Sequence, residues 1–495
     1  MEAQTAALPD PIAPRGHLYS LVLTSLIYLG LILAIWLFAQ ELYDKERSAS
    51  GLLAIGTLGI CRYGWLLVNL VRSYFYRFYT YPRLRKAADA MEFPFPERLH
   101  FIIPTYQEKP WVTRKMLTSV TREAASLPCP VHLYITTGGP EEDAVVREGL
   151  AECHANPLLT VHMMRQSGKR NGMAFALRAA ARMNGGEPNS VVVLMDGDTL
   201  LGPGILRKSL PFFSLLPKVG GLTTNNIAIT TGPNWYRRWY ALRFALRNRY
   251  MCSTSLSHKV LTLTGRFSFI RGDIALSDEF IERVETDSVD DWMYGKIEFK
   301  TGDDKSTWYT LLRNGWDMLY LPDTYIYCLE NAGEKPFRES VGKMRRWFGN
   351  MLRNNGRALA LGPQRIGAFT WLSLLDQRIS MWTSLVLPTA VLMLIFSESP
   401  MVLLYFTTWV LATRLIYLSA LAVEGHQISV WDLPLLLYQQ WVGSFIKIQT
   451  LSDLRRQKWG AARGDAKNIS GWFGTAQTIL WLLIFALLVG VLVVG

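Results

Sequence analysis

Cysteine is scarce, and its spacing excludes two kinds of fold. Five cysteines (Cys61, Cys129, Cys153, Cys252 and Cys328) are scattered over 495 residues, odd in number and without a Cys-x-x-Cys pair. That argues against a disulfide framework or a zinc site and for a reducing compartment. Nucleic-acid motifs are also missing. The formal charge is +12, yet no zinc-finger, RRM or helix-turn-helix pattern accompanies it, and many of the basic residues stand beside hydrophobic runs. A cytoplasmic membrane face is therefore the expected partner, and no nucleic acid. No small-residue cleavage site follows the first apolar run, which reads as an anchor and not a signal peptide.

What is abundant is apolar surface: half of the residues are hydrophobic, and they gather at the two ends. Residues 18–39 and 51–71 are each long enough to span a bilayer. The second carries Arg62, which must either snorkel or face a polar path between helices. Arg72, Arg77, Arg83, Arg85 and Lys86 follow it, so the middle of the chain is expected in the cytoplasm.

That middle, residues 81–361, alternates short apolar runs with helical patterns, and each polar loop falls after a strand. His100-Phe-Ile-Ile-Pro104, residues 131–136 and residues 159–163 read as strands, and Val191-Val-Val-Leu-Met195 reads as one buried on both faces. A doubly wound sheet with its site at the strand ends is the expected arrangement. The 191–195 run stops at Asp196-Gly197-Asp198. Two carboxylates around a glycine can face one point and suit a hard cation, Mg²⁺ or Mn²⁺, that also takes diphosphate oxygens. The plain alternative is a polar turn that caps the next helix.

Three further stretches have paired readings. Lys169 and Arg170 lie in Gly168-Lys-Arg-Asn-Gly172, which suits a diphosphate or a solvated helix start. Asp303 and Asp304 precede a helical pattern from Ser306 to Asn314. They are either an N-cap and a dipole partner, or catalytic, with a carboxylate facing the cation site as general base. In Lys343-Met-Arg-Arg-Trp-Phe-Gly-Asn350, Arg346 offers a guanidinium for a leaving diphosphate and Trp347 a face for a sugar ring. A basic helix lying on anionic lipid would look the same.

Taken in order, Glu108, Gly168-Lys169, Asp196-Gly197-Asp198, Gly302-Asp303-Asp304 and Arg345-Arg346-Trp347, framed by spans, resemble the processive membrane family 2 glycosyltransferases. Within them, residues 249–265, 301–306 and 376–383 are most similar to the catalytic subunits of bacterial alginate polymerases, the mannuronan synthases. The resemblance implies an α-helical membrane protein with an inserted cytoplasmic α/β domain of the glycosyltransferase-A, nucleotide-diphospho-sugar type. It assigns residues 1–80 to a tail and two spans, 81–361 to the transferase domain, and 362–495 to interfacial helices, a gating-type loop and three spans. It further implies that Asp196, Asp198, Lys169 and Arg346 hold donor diphosphate and metal, that Asp304 is the base beside Asp303, and that Trp347 stacks on the acceptor. The implied activity is polymerisation of GDP-mannuronate with export of the growing polysaccharide through the inner membrane, among membrane lipids. Two departures stand out: Lys343 occupies a position where the family usually has Gln, and Thr136-Thr-Gly-Gly-Pro140 replaces a nucleobase-reading Asp-Asp.

Toward the C-terminus, residues 378–396, 401–423 and 472–494 read as spans. Residues 433–448 are interrupted by Pro434, Tyr438, Gln439, Gln440 and Lys447 and are expected to lie at the interface, giving five spans, with six the alternative. Gln457-Lys-Trp459-Gly460 then resembles the gating loop of related synthases. Asp376, Arg378 and Arg414 suit a polar path for sugars or form one buried ion pair. Cyclic di-GMP control, common in the family, is expected on a partner co-polymerase chain. Lys169, Arg170, Arg266 and Arg271 are the cations available for a hexuronate carboxylate. Competing activities are a neutral or amino-sugar β-glycan synthase, a nonprocessive lipid-phosphate transferase, and a transporter or sensor without chemistry.

Overall fold

The computed structural model describes residues 17–41, 49–92, 94–183, 189–397, 401–457 and 471–494. Four apolar runs build one side of an eight-stranded sheet: β1 (Arg98–Pro104), β2 (Val131–Thr137), β3 (Leu159–Arg165) and β4 (Ser190–Met195). They are parallel, in the order β3-β2-β1-β4. All of β4 is buried, as an unbroken apolar run requires in a sheet covered on both faces. The order reverses between β1 and β4, so their C-terminal ends flank a crevice of the kind that binds ligands in open α/β sheets.

Beyond β4 the expected doubly wound pattern gives way to a mixed sheet. β5 (Thr199–Leu201), β6 (Val219–Thr230), β7 (Phe267–Arg271) and β10 (Asp317–Glu330) complete it in the order β7-β6-β10-β5, while β8 (Ser288–Asp291) and β9 (Gly295–Glu298) form a separate hairpin. β7 runs antiparallel to both β4 and β6. This reversal decides where its residues act. Phe267 pairs with Met195 and Arg271 with Val191, so Gly265 and Arg266 arrive beside the Asp196 turn and Arg271 is carried to the opposite edge. β6 and β10 slip register between Leu321 and Tyr325, around Pro322, which has no N–H to give the ladder.

The apolar runs at the chain ends are helical over His17–Glu41, Ala49–Phe75, Ala368–Ser397, Met401–Val423 and Gly471–Val494. Among the described residues, Ala368–Ile395, Val402–Val423 and Gly474–Val491 are long and apolar enough to cross a membrane, and Tyr19–Ile35 is a shorter apolar helix. Arg62 forms an ion pair with Asp376, whose other oxygen accepts from the Tyr250 hydroxyl at 3.2 Å. Arg414 donates to Gln440 and Arg378 to the Leu352 carbonyl. Asp376, Arg378 and Arg414 therefore do not share one ion pair; the partner of Asp376 comes from the second helix.

Residues 432–451 form a helix in three pieces, with a π-turn at Tyr438–Val442. Both flanks are tied to the sheet domain. Asp432 holds Arg238 at 2.9 Å, and Gln457 donates to the Glu298 carbonyl at 2.7 Å while accepting from Lys300 N at 2.9 Å. Trp459 and the rest of the gating-type loop lie outside the described residues. A second core, with Trp239, Tyr240, Met344 and Phe348 beside Leu411, Leu418 and Leu436, joins the sheet domain to these C-terminal helices.

Candidate active site

Lys169, Asp196, Asp198, Arg266, Asp303 and Asp304, all singled out from the sequence, converge at the switch point. The Lys169 ammonium, at the start of the helix Lys169–Met183, lies 2.8 Å from Asp196 and 2.9 Å from Asp303. Gly197 allows the turn between the two aspartates to touch β1: a Cβ there would stand 3.1 Å from Thr105 Cγ2 and 3.3 Å from the Pro104 carbonyl. Asp198 accepts twice from Arg266 Nη1, each at 3.1 Å. Gly265 has a matching role on the other wall, since a Cβ would be 3.3 Å from Asp304 Cβ. The Asp303–Asp304 loop and the Asp196 turn thus meet across a glycine-lined seam.

The helix carrying the acid pair is Asp303–Arg313, three residues earlier than the sequence pattern suggests. Its N-cap is Gly302 in the left-handed region at φ 85°, a conformation that suits glycine. Neither aspartate caps the helix. Both sit in the first turn, at the positive end of the dipole. A side chain at 302 would also meet Asn350, 2.9 Å from where its Cβ would be, and Thr301 Oγ1 donates to Asn350 Oδ1 at 2.8 Å. The loop bearing the acids is thereby clamped to the helix Pro336–Leu359, which carries Arg346 and Trp347.

Electrostatics separate the two acids. Burial disfavours the Asp303 carboxylate, but Lys169 and Arg170 outweigh it and its pKa is lowered. Asp304 is pushed up to about 6 by burial and by the charge of Asp303. Glu108, at the end of β1, is pushed up to about 7 by burial and then by Asp198 and Asp196. Asp196 is raised by burial, with Lys169 opposing. Excess negative charge in one crevice is what a bound cation relieves. Among the described residues no three His, Cys, Asp or Glu side chains form a metal-holding group. Two aspartates plus diphosphate oxygens and water, the usual way Mg²⁺ is held, fit this donor set.

Two expected anion ligands are turned elsewhere. Arg170 donates to the Val284 carbonyl at 2.8 Å and to Ser306 Oγ at 2.9 Å, fastening the helix start to its neighbours and not to a diphosphate. Arg271 donates to the carbonyls of Val219 and Phe213, at the far edge of the sheet. Lys169 and Arg266 remain in the crevice.

Glu330, at the end of β10, carries no motif in the sequence, yet it is the hub of a buried cluster beside Arg266. It pairs with Arg266 and Lys343 and accepts from the Tyr240 hydroxyl at 2.5 Å. Burial alone would raise its pKa; Arg266 and Lys343 overcome that and hold it down to about 2. Lys343, the departure from the family pattern, is thus the counter-charge of a buried acid. Trp347 stacks near Trp239 at 6.2 Å between ring centroids, meets Tyr240 edge-on at 5.9 Å, and lies under the Arg243 guanidinium at 4.0 Å. Arg346 is half-buried beside it.

The family described as glycosyltransferase like family 2 matches residues 96–350, the span that holds every element of this crevice. This chain is a family 2 glycosyltransferase. It is 35% identical over 466 residues to glycosyltransferase alg8 of Pseudomonas syringae pv. tomato, covering 91% of this chain and 93% of that one. It is 34% identical over 443 residues to glycosyltransferase alg8 of Azotobacter vinelandii, covering 88% and 89%. Among solved structures, the mannosyltransferase of Pyrobaculum calidifontis in complex with GDP-Man and Mn²⁺ aligns with a TM-score of 0.43 at 17% identity, over 77% of this chain and 99% of that one. The mixed sheet of this chain is the glycosyltransferase-A-type sheet of that family.

Proposed function

We propose that this glycosyltransferase polymerises GDP-mannuronate into polymannuronate and passes the product through its own apolar helices, with the sheet domain on the cytoplasmic side. The observation that carries the reading is the seam at Gly265 and Gly302, which sets Asp304 against the Asp196 turn on one side and the Trp347 helix on the other. Relatedness to alg8 along nine-tenths of the chain supports the choice of donor.

In the proposed reaction the donor diphosphate lies over Asp196, Asp198 and Lys169. Asp196 and Asp198 would hold Mg²⁺ or Mn²⁺, which supplies positive charge to the departing diphosphate. Asp304, ionised above pH about 6, takes the proton of the acceptor hydroxyl as that oxygen attacks the anomeric carbon. Inversion follows from a single displacement. Asp303 holds Lys169 in place, and Arg346 attends the leaving group. Trp347 presents its indole face to the terminal sugar. The ties of Arg238 and Gln457 at both flanks of residues 432–451 support an interfacial course for that segment.

The test is to offer the purified protein in lipid a panel of nucleotide sugars and measure nucleotide release. Release from GDP-mannuronate above GDP-mannose, UDP-glucose and UDP-N-acetylglucosamine is expected. Release confined to a neutral or amino sugar would reject the donor and leave the family assignment intact.

A further inference from the structure

Three cations run from the base toward the C-terminal helices without an acidic partner in any ion pair among the described residues. Arg247 Nε, Nη1 and Nη2 are all buried and make no hydrogen bond there; the guanidinium lies 5.8 Å from the Tyr320 ring, and the carboxylate whose charge reaches it is that of Asp304. One turn earlier on the helix Asn234–Ser255, Arg243 contacts only rings, Trp347 at 4.0 Å and Phe348 at 5.8 Å. The Lys447 ammonium lies 5.0 Å from the same Phe348 ring and donates to Ser380 Oγ at 3.3 Å. Like charges at i, i+4 on a helix repel, and a buried cation with no counter-ion is costly. Other cations in this chain are ion-paired, as Arg249 with Glu424, Arg238 with Asp432 and Arg357 with Asp287, or donate to carbonyls and neutral side chains, as Arg353, Arg170 and Lys305 do. Arg243 and Arg247, with ring contacts and neither kind of partner among the described residues, stand out as charge kept for a ligand, and Lys447 continues their row with a single hydroxyl partner.

We propose that Arg247, Arg243 and Lys447 read the carboxylates of successive sugar units in an anionic acceptor chain, as Trp347 receives the terminal ring. The inference rests on the reading of Asp304 and Trp347 given above and adds the residues that select a uronate polymer. A neutral glycan offers nothing to offset these three half-buried charges. An acidic one supplies a carboxylate per sugar, and the charge-assisted hydrogen bonds so formed are strong enough for about a tenfold preference or more per contact.

The experiment is calorimetric binding of an oligomannuronate, and of the same oligomer with its carboxyls reduced to alcohols, to the full-length protein in lipid nanodiscs. The protein is expected to bind the acidic oligomer at least tenfold tighter. Arg243→Gln and Arg247→Gln should each lose most of that preference, Arg243→Lys should keep part of it, and Lys447→Met should weaken longer oligomers more than short ones. GDP affinity, measured on the same samples, reports a folded domain. Equal affinity for the two oligomers, or a preference that survives in the Arg243→Gln, Arg247→Gln double variant with GDP binding intact, would overturn the proposal. Because no donor sugar is used, these outcomes are separable from failure of the donor panel.

Discussion

Replacing Glu330 by Gln removes one negative charge from a buried group that answers two cations and a hydroxyl. Its pKa is held near 2 against an ordinary 4.5, and each unit is worth about 1.36 kcal/mol, which puts the charge at roughly 3 kcal/mol of stability at neutral pH. Breaking a buried pair from one side costs about 3–5 kcal/mol. The lower end applies, because Arg266 keeps Asp198 at 3.1 Å and Lys343 keeps Glu339 at 3.7 Å. With the folded pKa depressed, this stability is complete above pH about 4.5 and is lost as the pH falls toward 2. At about 2–4 °C per kcal/mol for a domain of this size, Glu330→Gln should lower the thermal midpoint in lipid by roughly 6–12 °C at a fixed scan rate. Lys343→Gln, which restores the residue usual in the family, should cost less, and the double variant less than the two together, since an uncharged Gln needs no ammonium. A Glu330→Gln midpoint within about 2 °C of the parent, or strictly additive losses in the double variant, would refute the hub.

Asp198→Asn should abolish turnover at every Mg²⁺ or Mn²⁺ concentration while the protein remains folded; full activity at saturating metal would remove Asp198 from the metal site. Trp347→Ala should shorten the product and raise the KM for an oligosaccharide acceptor with little change in GDP affinity, and an equal loss in both would make Trp347 a packing residue of the Trp239 and Tyr240 cluster. Single cysteines at Ser397 and Arg456 in a cysteine-free background test orientation: an impermeant thiol reagent added to intact cells should label the first and spare the second, and labelling at 456 from outside would make residues 432–451 a true span.

Much of the crevice was legible because strand-end chemistry is local. A buried run such as 191–195 announces its own end, and Asp196 and Asp198 fall there whatever the rest of the sheet does. The same holds for Lys169, which follows β3, and for Asp304, which opens a helix. The cluster around Arg266 and Glu330 was not legible, because it is assembled by strand reversal. Only an antiparallel β7 places Arg266 at Asp198 and sends Arg271 away, and no periodicity in residues 264–271 encodes direction. Glu330 depends on β10 pairing with β6 across roughly a hundred residues, a long-range choice that leaves no motif. Arg243 and Arg247 look like an ordinary basic helix face until their contacts with the Trp347 and Tyr320 rings show where that face points.

The central claim is that Asp304 acts as base while Asp196 and Asp198 hold the donor. It is tested most directly by measuring donor affinity and turnover on the same Asp304→Asn sample across pH 5 to 8. A positioned general base contributes about 10²- to 10⁴-fold, so turnover should fall by that range with GDP-sugar affinity unchanged. The parent enzyme should gain activity as the pH rises through about 6, where Asp304 ionises, and the variant should lose that limb. Loss of donor affinity in proportion to rate, or a variant that keeps the limb near pH 6, would contradict the account.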